Sequence, residues 1–342
     1  MTGVMGRVGP IVIILLLLTA ASASGFWRQY QYFLHSPLLI ADDGVVLTVE
    51  RGSSMNTVVN DLEQRGATLM GWRWRLLNKL QPVTIQAGEY ALEAGTTPSD
   101  LLRLLVSGKV VGYRFTIVEG WSVRQLLAAL GNDPILQHSL FKVEDLESVD
   151  GLPVGHSEGW FLPETYVFIR GDSDLKILQR AYSDMQQSLL QTWNGRDMSL
   201  PYETAYEMLI MASIIEKETS LDAEREAIAG VFVRRLMKKW RLETDPTVIY
   251  GLGDSYDGNI RRRDLDADTP YNTYTRHGLP PTPIALPGLA SLQAAAHPAA
   301  GDAMFFVADG QGGHTFSATL EEHNKAVRQM LKRNAGQQKT KE

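Results

Sequence analysis

Cysteine is the most informative absence in this sequence. None of the 342 residues is a cysteine, so disulfide bonds, thiolate metal ligands and a cysteine nucleophile are excluded. A cluster of basic residues is also missing, because 33 Lys and Arg are scattered among 39 Asp and Glu, for a net charge of −6. This distribution excludes a nucleic-acid partner, since proteins of that class carry concentrated positive charge.

Several catalytic motifs are absent as well. The sequence has no HExxH, and its seven histidines stand singly, without the spacing of metal ligands. The glycines of ADGQGGHTF (Ala308–Phe316) are not accompanied by the lysine of a phosphate-binding loop, and no GxSxG motif of a serine hydrolase occurs. We therefore expect neither a metal nor any other cofactor, and the acidic residues become the candidates for chemistry.

The N-terminus carries the longest apolar run. After Arg7, the segment Val8–Trp27 has 20 residues without a charge, and at about 1.5 Å per residue a helix of this length crosses a bilayer. A cleaved signal peptide, with Ala21–Ala23 as its cleavage site, is the alternative. Aromatic residues of the kind found at membrane interfaces favour the uncleaved transmembrane helix: Trp27, Tyr30, Tyr32 and Phe33. We expect residues 1–7 in the cytoplasm and the folded part of the chain outside it.

A strand–turn–helix pattern occurs twice in the first half of the chain. In both VVLTVERGSSMNTVVNDL (Val45–Leu62) and YRFTIVEGWSVRQLLAAL (Tyr113–Leu130), a glycine and a helix-capping serine follow the strand. Between them we expect a strand ending near Leu92 and a helix from Ser99 to Leu105. Residues 45–130 are therefore interpreted as small α+β modules, preceded by a juxtamembrane linker at 28–44.

The second half, from Gly151, is rich in helical periodicity. The segment Asp245–Gly288 is interrupted by Pro and Gly and is predicted to be irregular, and its Tyr, Asn and Thr content indicates a functional loop. The other expected elements are helices over Asp174–Trp193, Tyr202–Thr219, Asp222–Trp240 and Leu289–Ala296, a strand over Ala303–Ala308 and a last helix from Leu320. The predicted fold class is α+β, with a transmembrane helix, the modules and a mixed α+β domain over 151–335.

Two carboxylates interrupt the apolar helix expected over Tyr202–Thr219. Since each helical residue advances by about 100°, Glu218 continues the apolar stripe of Ile214 and Ile215. A carboxyl on such a stripe is partly desolvated, which raises its pKa toward values useful to a general acid. A structural ion pair for Glu218 is the alternative, and periodicity leaves it open. Glu216 points about 160° away and is expected to be solvated or ion-paired.

Five ordered segments resemble one protein family. They are EGWFLPETY, ASIIEKET, ETDPTVIYG, PYNTY…GLPPTPIALPG and FVADGQGGHTFSATLEEHN. Their order and spacing over almost the whole chain are similar to the YceG-like family, the MltG-type endolytic murein transglycosylases. The resemblance implies that Glu218 in EKET is the catalytic residue, that 45–130 is the LysM-like region, and that 151–335 is the catalytic domain.

The resemblance also implies the reaction and its setting. The expected reaction is cleavage of the β-1,4 bond between N-acetylmuramic acid and N-acetylglucosamine in peptidoglycan, with formation of a 1,6-anhydro end. One glutamate would first protonate the leaving oxygen and then accept the proton of the C6 hydroxyl. The expected location is the bacterial inner membrane, with the catalytic domain on its periplasmic side. The expected partners are peptidoglycan glycan strands, the membrane and cell-wall synthases.

The loops that carry these motifs supply candidates for sugar binding, because aromatic faces pack on sugar rings and amides and hydroxyls bond to their polar groups. The candidates are Asp245, Tyr271, Asn272, Tyr274, His314 and Thr315. Each of them could instead support the loop itself. Glu164 of LPETY is a second acid or a structural partner, and we favour the structural role.

Two other functions are compatible with the sequence. One is a glycoside hydrolase that uses Glu218 with a second carboxylate such as Asp245. The other is a membrane-tethered peptidoglycan-binding protein without catalytic activity.

Overall fold

The structure is a computed structural model that describes residues 5–69, 71–139, 142–146, 149–153 and 155–339. The chain divides into two compact units. The first comprises Met1–Tyr113 with Ile169–Gly171, and the second comprises Arg114–Phe168 with Asp172–Glu342. Both contain helices together with short strands, so the predicted α+β class is confirmed.

The first unit joins a long helix to a strand–helix–helix–strand arrangement. Its elements are α1 (Met5–His35), β1 (Val45–Val49), α2 (Met55–Gln64), α3 (Trp72–Leu80), β2 (Gly88–Leu92) and α4 (Pro98–Ser107). The strands β1 and β2 pair antiparallel, with Leu47 opposite Tyr90. As expected of the serine at this junction, Ser54 caps α2 by accepting a hydrogen bond from the Thr57 N–H at 3.3 Å.

The core of the first unit lies between the strand pair and the helices. Its fully buried side chains include Leu47, Leu62, Trp74, Leu77, Tyr90 and Leu105. Tyr30 and Leu34 of α1 are buried in the same core. Because these two residues pack there, α1 continues to His35, and the linker expected over 28–44 is helical through its first eight residues.

Among the described residues, one helix is long and apolar enough to cross a membrane, at Ile11–His35 near the N-terminus. The apolar side chains of Ile11–Leu18 are exposed. An uncovered apolar surface of this length requires a lipid environment. This supports single-pass membrane anchoring by α1.

The second unit is mostly helical. Its elements are β3 (Tyr113–Thr116), α5 (Val123–Gly131), α6 (Val143–Leu146), β4 (Thr165–Phe168), α7 (Asp174–Gly195), α8 (Ala205–Glu218), α9 (Asp222–Met237), α10 (Asp245–Leu252), a 3₁₀ turn (Gly253–Ser255), α11 (Arg262–Asp266), α12 (Leu289–Ala296), β5 (Phe305–Ala308), β6 (His314–Ser317) and α13 (Leu320–Lys339). β3 pairs with β4, and β5 pairs antiparallel with β6, with Phe306 opposite Phe316.

Helix α8 lies at the centre of the second unit. It packs against α7, α9, α10 and α12, and every residue from Met208 to Ile215 is buried. A helix that is apolar on all sides is buried on all sides. Glu218 is the last residue of α8 and therefore lies at the point where this buried helix ends.

Two parts of the second unit differ from the sequence-based expectation. Asp245–Gly288, expected to be irregular, contains the helices α10 and α11. Pro246 suggested a loop, but it occupies the first turn of α10, where proline is well tolerated. The glycine-rich turn after β5 is followed by the strand β6. This strand was not predicted, because the glycines before it indicate a turn.

The second copy of the repeated pattern also lies outside the first unit. Its helix α5 is capped as expected, because Ser122 accepts a hydrogen bond from the Gln125 N–H at 3.3 Å. However, all of its residues after Tyr113 belong to the second unit. The two copies therefore share a local structure without forming one region over 45–130.

Candidate active site

Glu218 is the last residue of α8, and its side chain is partly buried. The hydroxyl of Thr244 donates a hydrogen bond to its Oε1 atom. Burial is the main influence on its pKa and raises it above the usual value. The Thr244 hydrogen bond lowers the pKa, while the nearby charge of Asp245 raises it. The result is a carboxyl that holds its proton more tightly than an exposed glutamate does.

A cluster of buried threonines fixes the hydroxyl that faces Glu218. The Thr244 N–H donates to Thr273 Oγ1 at 3.1 Å, and Thr247 Oγ1 lies 2.9 Å from the same atom. Thr247 also donates to the carbonyl of Thr244 at 2.8 Å. The preceding residue, Glu243, has a left-handed backbone with φ of 53°, a conformation that costs free energy in a residue with a side chain. The chain is thus held in a strained form just before Thr244.

Two cationic or potentially cationic side chains act on Glu218 electrostatically. Arg235 is buried and donates to the carbonyls of Leu242 at 2.5 Å and Met304 at 2.8 Å. His314, the first residue of β6, is the second. Both lower the pKa of Glu218, although by less than burial raises it. They therefore favour the carboxylate that remains after Glu218 gives up a proton.

Glu224 in the first turn of α9 fixes the position of His314. His314 Nδ1 lies 2.7 Å from Glu224 Oε2, and the His314 backbone N–H donates to Glu224 Oε1 at 2.8 Å. Thr315 follows in β6 and is exposed, opposite Val307 in β5. The carboxylate of Glu224 thus holds both the ring and the backbone of His314.

Asp245, which is exposed, and Tyr274, which is half-buried, form a pair beside Glu218. The Tyr274 hydroxyl donates to Asp245 Oδ1 at 2.6 Å. The pKa of Tyr274 is raised by burial and then by this carboxylate. The pair offers one acceptor and one aromatic face to the solvent side of the site.

Tyr271 and Asn272 occupy positions within the protein framework. Tyr271 packs edge-on against Tyr250, with ring centroids 5.0 Å apart, and its hydroxyl lies 2.9 Å from Thr282 Oγ1. Asn272 is 1% exposed, and its amide donates to the carbonyls of Leu265 at 2.9 Å and Ala267 at 2.7 Å. The Asn272 amide is therefore occupied in shaping the loop after α11.

Glu164 is exposed at the start of β4, where its Oε2 accepts a hydrogen bond from the Thr165 N–H at 3.2 Å. This geometry agrees with the structural role favoured for Glu164.

The side chain of Glu216 is only 5% exposed, and of the two expected environments, solvent or an ion pair, it has the ion pair. It accepts hydrogen bonds from the Gly288 N–H at 2.9 Å and from the Ser291 hydroxyl at 2.8 Å. The ion pair expected as the alternative is present, since Arg225 Nη2 lies 3.6 Å from Glu216 Oε1. Because α8 is covered on every side, helical phase separates the directions of the two acids but not their burial.

A cavity of about 760 Å³ opens within the second unit, and Glu218 and Asp245 are not among the described residues that line it. Its lining includes Lys217 and Pro246, the chain neighbours of Glu218 and Asp245, together with Ser122, Ile249 and Tyr250. This volume lies in the range of small-molecule sites. Polar groups and an aromatic side chain together suit a sugar.

Glu158 is a lining residue of this cavity that the sequence did not single out. It is 9% exposed and accepts hydrogen bonds from the Val123 N–H at 2.9 Å and the Tyr250 hydroxyl at 3.1 Å. Burial raises the pKa of Glu158 to about 7. The sequence feature that could have identified Glu158 is its position as an acid beside the aromatic residues of EGWFLPETY.

Close packing explains the glycine of the same motif, Gly159. Gly159 has φ of 83°, and a Cβ atom there would lie 2.5 Å from Pro283 Cβ. The EGWFLPETY segment therefore lies directly against the PPTPIALPG segment. This contact joins two of the recognised motifs beside the cavity.

Thr244, Arg235 and Glu224 were also missed as functional candidates. Thr244 stands in ETDPTVIYG, next to the aspartate that was selected. Arg235 and Glu224 lie on α9 in a sequence that reads as an ordinary amphipathic helix. Their roles depend on contacts with β5 and β6, which lie about 70 to 90 residues away in the chain.

Comparison with known proteins identifies the family. Residues 47–329 match the YceG-like family. A protein named endolytic murein transglycosylase from Bacillus subtilis is 32% identical over 82% of this chain and 83% of its own length. One of the same name from Streptococcus pneumoniae is 27% identical over 94% of this chain and 65% of its own length.

A solved structure agrees with these relatives. The crystal structure of a YceG-like protein from Listeria monocytogenes is 28% identical, with a TM-score of 0.52. The match covers 83% of this chain and 99% of the Listeria chain. On the extent of these matches, this chain belongs to the YceG-like family.

Proposed function

We propose that this protein is a membrane-anchored endolytic murein transglycosylase. It would cleave the β-1,4 bond between N-acetylmuramic acid and N-acetylglucosamine and leave a 1,6-anhydro end. The names of the relatives support the reaction class. The observation that carries the proposal is the environment of Glu218, a partly buried carboxyl with a raised pKa that also has groups to stabilise its ionised form.

The first step is protonation of the glycosidic oxygen by Glu218. Burial and the neighbouring negative charge of Asp245 both raise the pKa of Glu218, which favours its protonated form before the step. As the proton moves to the leaving oxygen, the bond from that oxygen to C1 of the muramic acid breaks. The Thr244 hydroxyl, Arg235 and His314 then stabilise the carboxylate that is formed.

The second step uses the same carboxylate as a base. It accepts the proton of the muramic acid C6 hydroxyl while O6 bonds to C1, which closes the 1,6-anhydro ring and returns Glu218 to its protonated state. Because the nucleophile is part of the substrate, the reaction consumes no water and needs no second protein carboxylate. One glutamate whose two protonation states are both supported is sufficient for this sequence of proton transfers.

The glycan would bind in the cavity lined by Lys217 and Pro246, the chain neighbours of Glu218 and Asp245, and on the loop residues near Glu218. Tyr250 and Tyr274 supply aromatic faces, and Lys217, Ser122 and Asp245 supply polar contacts. His314 and Thr315 extend this surface along β6. Tyr271 would act through its packing on Tyr250, and Asn272 through the loop that its amide holds.

The first unit would bind glycan without taking part in the chemistry. Its order of strand, two helices and strand, with antiparallel pairing of β1 and β2, supports a LysM-like module over 45–92. A chain shortened to begin at Arg114, the start of the second unit, should retain anhydro-end formation and bind sacculi more weakly. Equal binding by the shortened and full chains would exclude this role.

The remaining parts of the proposal concern the cellular setting. A single N-terminal anchor preceded by Arg7 supports the bacterial inner membrane, with both units on the periplasmic side. There the enzyme would act on strands made by cell-wall synthases. Protease accessibility in intact spheroplasts tests the orientation, because only periplasmic units would be digested from outside.

The decisive experiment compares Glu218→Gln with Glu164→Gln. The first substitution keeps the size of the side chain and removes the exchangeable proton, while the second makes the same change at an exposed acid. Mass spectrometry of digested sacculi should show a loss of anhydromuramyl ends by about 10²–10⁴-fold for Glu218→Gln alone. Thermal melts confirm that both variants are folded.

The same spectra separate the competing functions. A hydrolase leaves free reducing ends in place of anhydro ends, and a binding protein leaves the sacculi intact. Free reducing ends that disappear in Asp245→Asn would establish the two-carboxylate mechanism. Anhydro ends formed at wild-type rate by folded Glu218→Gln would refute the assignment of Glu218.

A further inference from the structure

The outer end of the membrane helix carries a second site, unrelated to the catalytic proposal. Phe26 of α1 stacks on Trp72 of α3, with ring centroids 4.3 Å apart and planes inclined by 22°. Around this contact a cavity of about 410 Å³ is lined by Phe26, Gln29, Trp72, Arg75, Leu76 and Lys79. All of these residues belong to the first unit.

The depth of this cavity follows from the length of α1. Val8–Trp27 spans about 30 Å as a helix, which is the thickness of the hydrocarbon core of a bilayer. Phe26 therefore lies at the boundary between hydrocarbon and headgroups. Because Trp72 stacks directly on Phe26, the first turn of α3 lies at the same level.

Helix α3 has two different faces. Trp74 and Leu77 are buried in the core of the first unit. On the other side, Trp72, Arg75 and Lys79 are spaced three and four residues apart, and all three are exposed. Trp72 is 37% exposed, and Leu69 and Leu80, which flank the helix, are 83% and 51% exposed. An aromatic and apolar surface with two cations is thus left uncovered at the level of the headgroups.

The charge of this region has one sign. Residues 64–88 contain no Asp or Glu, and neither do residues 8–41. The basic residues of the two segments near the cavity are Arg28, Arg73, Arg75 and Lys79. Within the part of the chain that the structure describes, no carboxylate pairs with any of these four. We therefore expect this surface to bind a negatively charged group.

We propose that Phe26, Trp72, Arg75 and Lys79 bind an anionic phospholipid on the side of the membrane from which the folded units emerge. The headgroup phosphate would lie between Arg75 and Lys79, and the upper acyl chain would lie against Phe26, Trp72 and Leu76. Aromatic rings at the interface and cations near anionic lipid both favour this arrangement. The lipid would fix α3, and with it the first unit, against the bilayer surface.

The test uses the full chain in nanodiscs of phosphatidylcholine that contain phosphatidylglycerol. Tryptophan fluorescence is quenched by contact with brominated acyl chains, and the signal from Trp72 is obtained as the difference between the natural chain and Trp72→Phe. Brominated phosphatidylglycerol should quench this signal more strongly than brominated phosphatidylcholine at equal mole fraction. From the attraction of each cation to anionic lipid, the preference should fall about tenfold or more in Arg75→Gln/Lys79→Gln.

A matched control removes two exposed cations elsewhere in the same unit, Arg51→Gln/Lys109→Gln, and should keep the preference. Equal quenching of Trp72 by both lipids would mean membrane contact without an anionic site and would overturn the proposal. Absence of quenching by either lipid would also overturn it and would assign the face to another occupant, such as a second copy of the chain. An unchanged preference in Arg75→Gln/Lys79→Gln would refute the role of these two residues. Thermal melts of each variant confirm folding.

Discussion

The carboxylate of Glu216 accepts a hydrogen bond from the Ser291 hydroxyl at 2.8 Å, and this contact ties the last turn of α8 to the first turn of α12. Glu218, two residues further on, instead accepts a hydrogen bond from the Thr244 hydroxyl, which lies on the loop before α10. The two acids both lie in the last turn of α8 but differ in their partners. Glu216 therefore belongs to the framework of the second unit, whereas Glu218 has a carboxyl whose pKa is raised by burial.

Glu216→Gln should lower the stability of the protein. The substitution removes a charge that compensates buried Arg225, and the hydrogen bonds from Gly288 and Ser291, which share Glu216 Oε2, both lose their charged acceptor. The expected loss is about 1–3 kcal/mol of unfolding free energy. Thermal melts followed by tryptophan fluorescence should show a clear decrease for Glu216→Gln and none for Glu164→Gln. An unchanged melting temperature for Glu216→Gln would contradict the framework role.

In contrast to Glu216→Gln, Glu218→Gln should reduce activity without lowering the stability of the protein. Ionisation of a buried carboxyl costs free energy, and the neutral amide of glutamine avoids this cost. The melting temperature at pH 8 should therefore be equal to or higher than that of the natural chain. Activity should be lost as described above. A large fall in melting temperature would show that Glu218 is needed for folding, and the activity measurement would then need a more conservative replacement.

Thr244→Val should reduce activity and shift its pH dependence. The hydroxyl stabilises the ionised form of Glu218, so its loss raises the pKa of Glu218 further. Activity that requires a protonated acid should then persist to higher pH, while the maximal rate should fall about tenfold because the carboxylate intermediate is less stable. The pH–rate profile of anhydro-end formation measures both effects. Thr244→Ser keeps the hydroxyl and should restore the natural profile.

Glu158 should make the protein less stable as pH rises from about 4.5 to 7. The pKa of Glu158 is raised to about 7 in the folded state, whereas an unfolded glutamate ionises near 4.3. Between these values the folded state binds more protons, so stability falls with increasing pH, by roughly 3 kcal/mol from this one group. Glu158→Gln removes this contribution and can still bond to Val123 and Tyr250.

The measurement is the melting temperature of the natural chain and of Glu158→Gln across pH 4 to 8. Their difference should grow in favour of the variant as pH passes from about 4.5 to 7 and should level off above it. Glu164→Gln, which alters an exposed acid, should follow the natural chain. A constant difference across this range would mean that Glu158 ionises normally in the folded protein.

Much of the fold was predictable because its signals are local. The serines before α2 and α5 predicted both helix starts, and α12 has the predicted bounds, Leu289–Ala296. The helix α10 was not predicted, since Pro246 and nearby glycines indicate a loop unless the position of proline within a helix is known. Strand β6 was hidden in the same way by the glycines before it.

The site was predictable only where one residue carried its own signal. Glu218 ends an apolar stripe within a recognisable motif, and both features are visible in the sequence. The partners that set its pKa come from α9, from the loop before α10 and from β6, and their proximity depends on the tertiary fold. The burial of Glu216 was missed for a related reason, because α12 covers the face of α8 that periodicity assigns to solvent.

The continuity of α1 limits how far the first unit can extend from the membrane. Tyr30, which is already buried in the folded core, lies three positions after Trp27 at the end of the apolar run. Three positions correspond to about 4.5 Å of helix. A flexible tether of 20 residues would instead allow a range of about 25 Å. A unit joined so closely to the bilayer is held near the membrane surface. If the first unit binds glycan as proposed, the continuity of α1 limits it to the glycan that lies nearest the membrane.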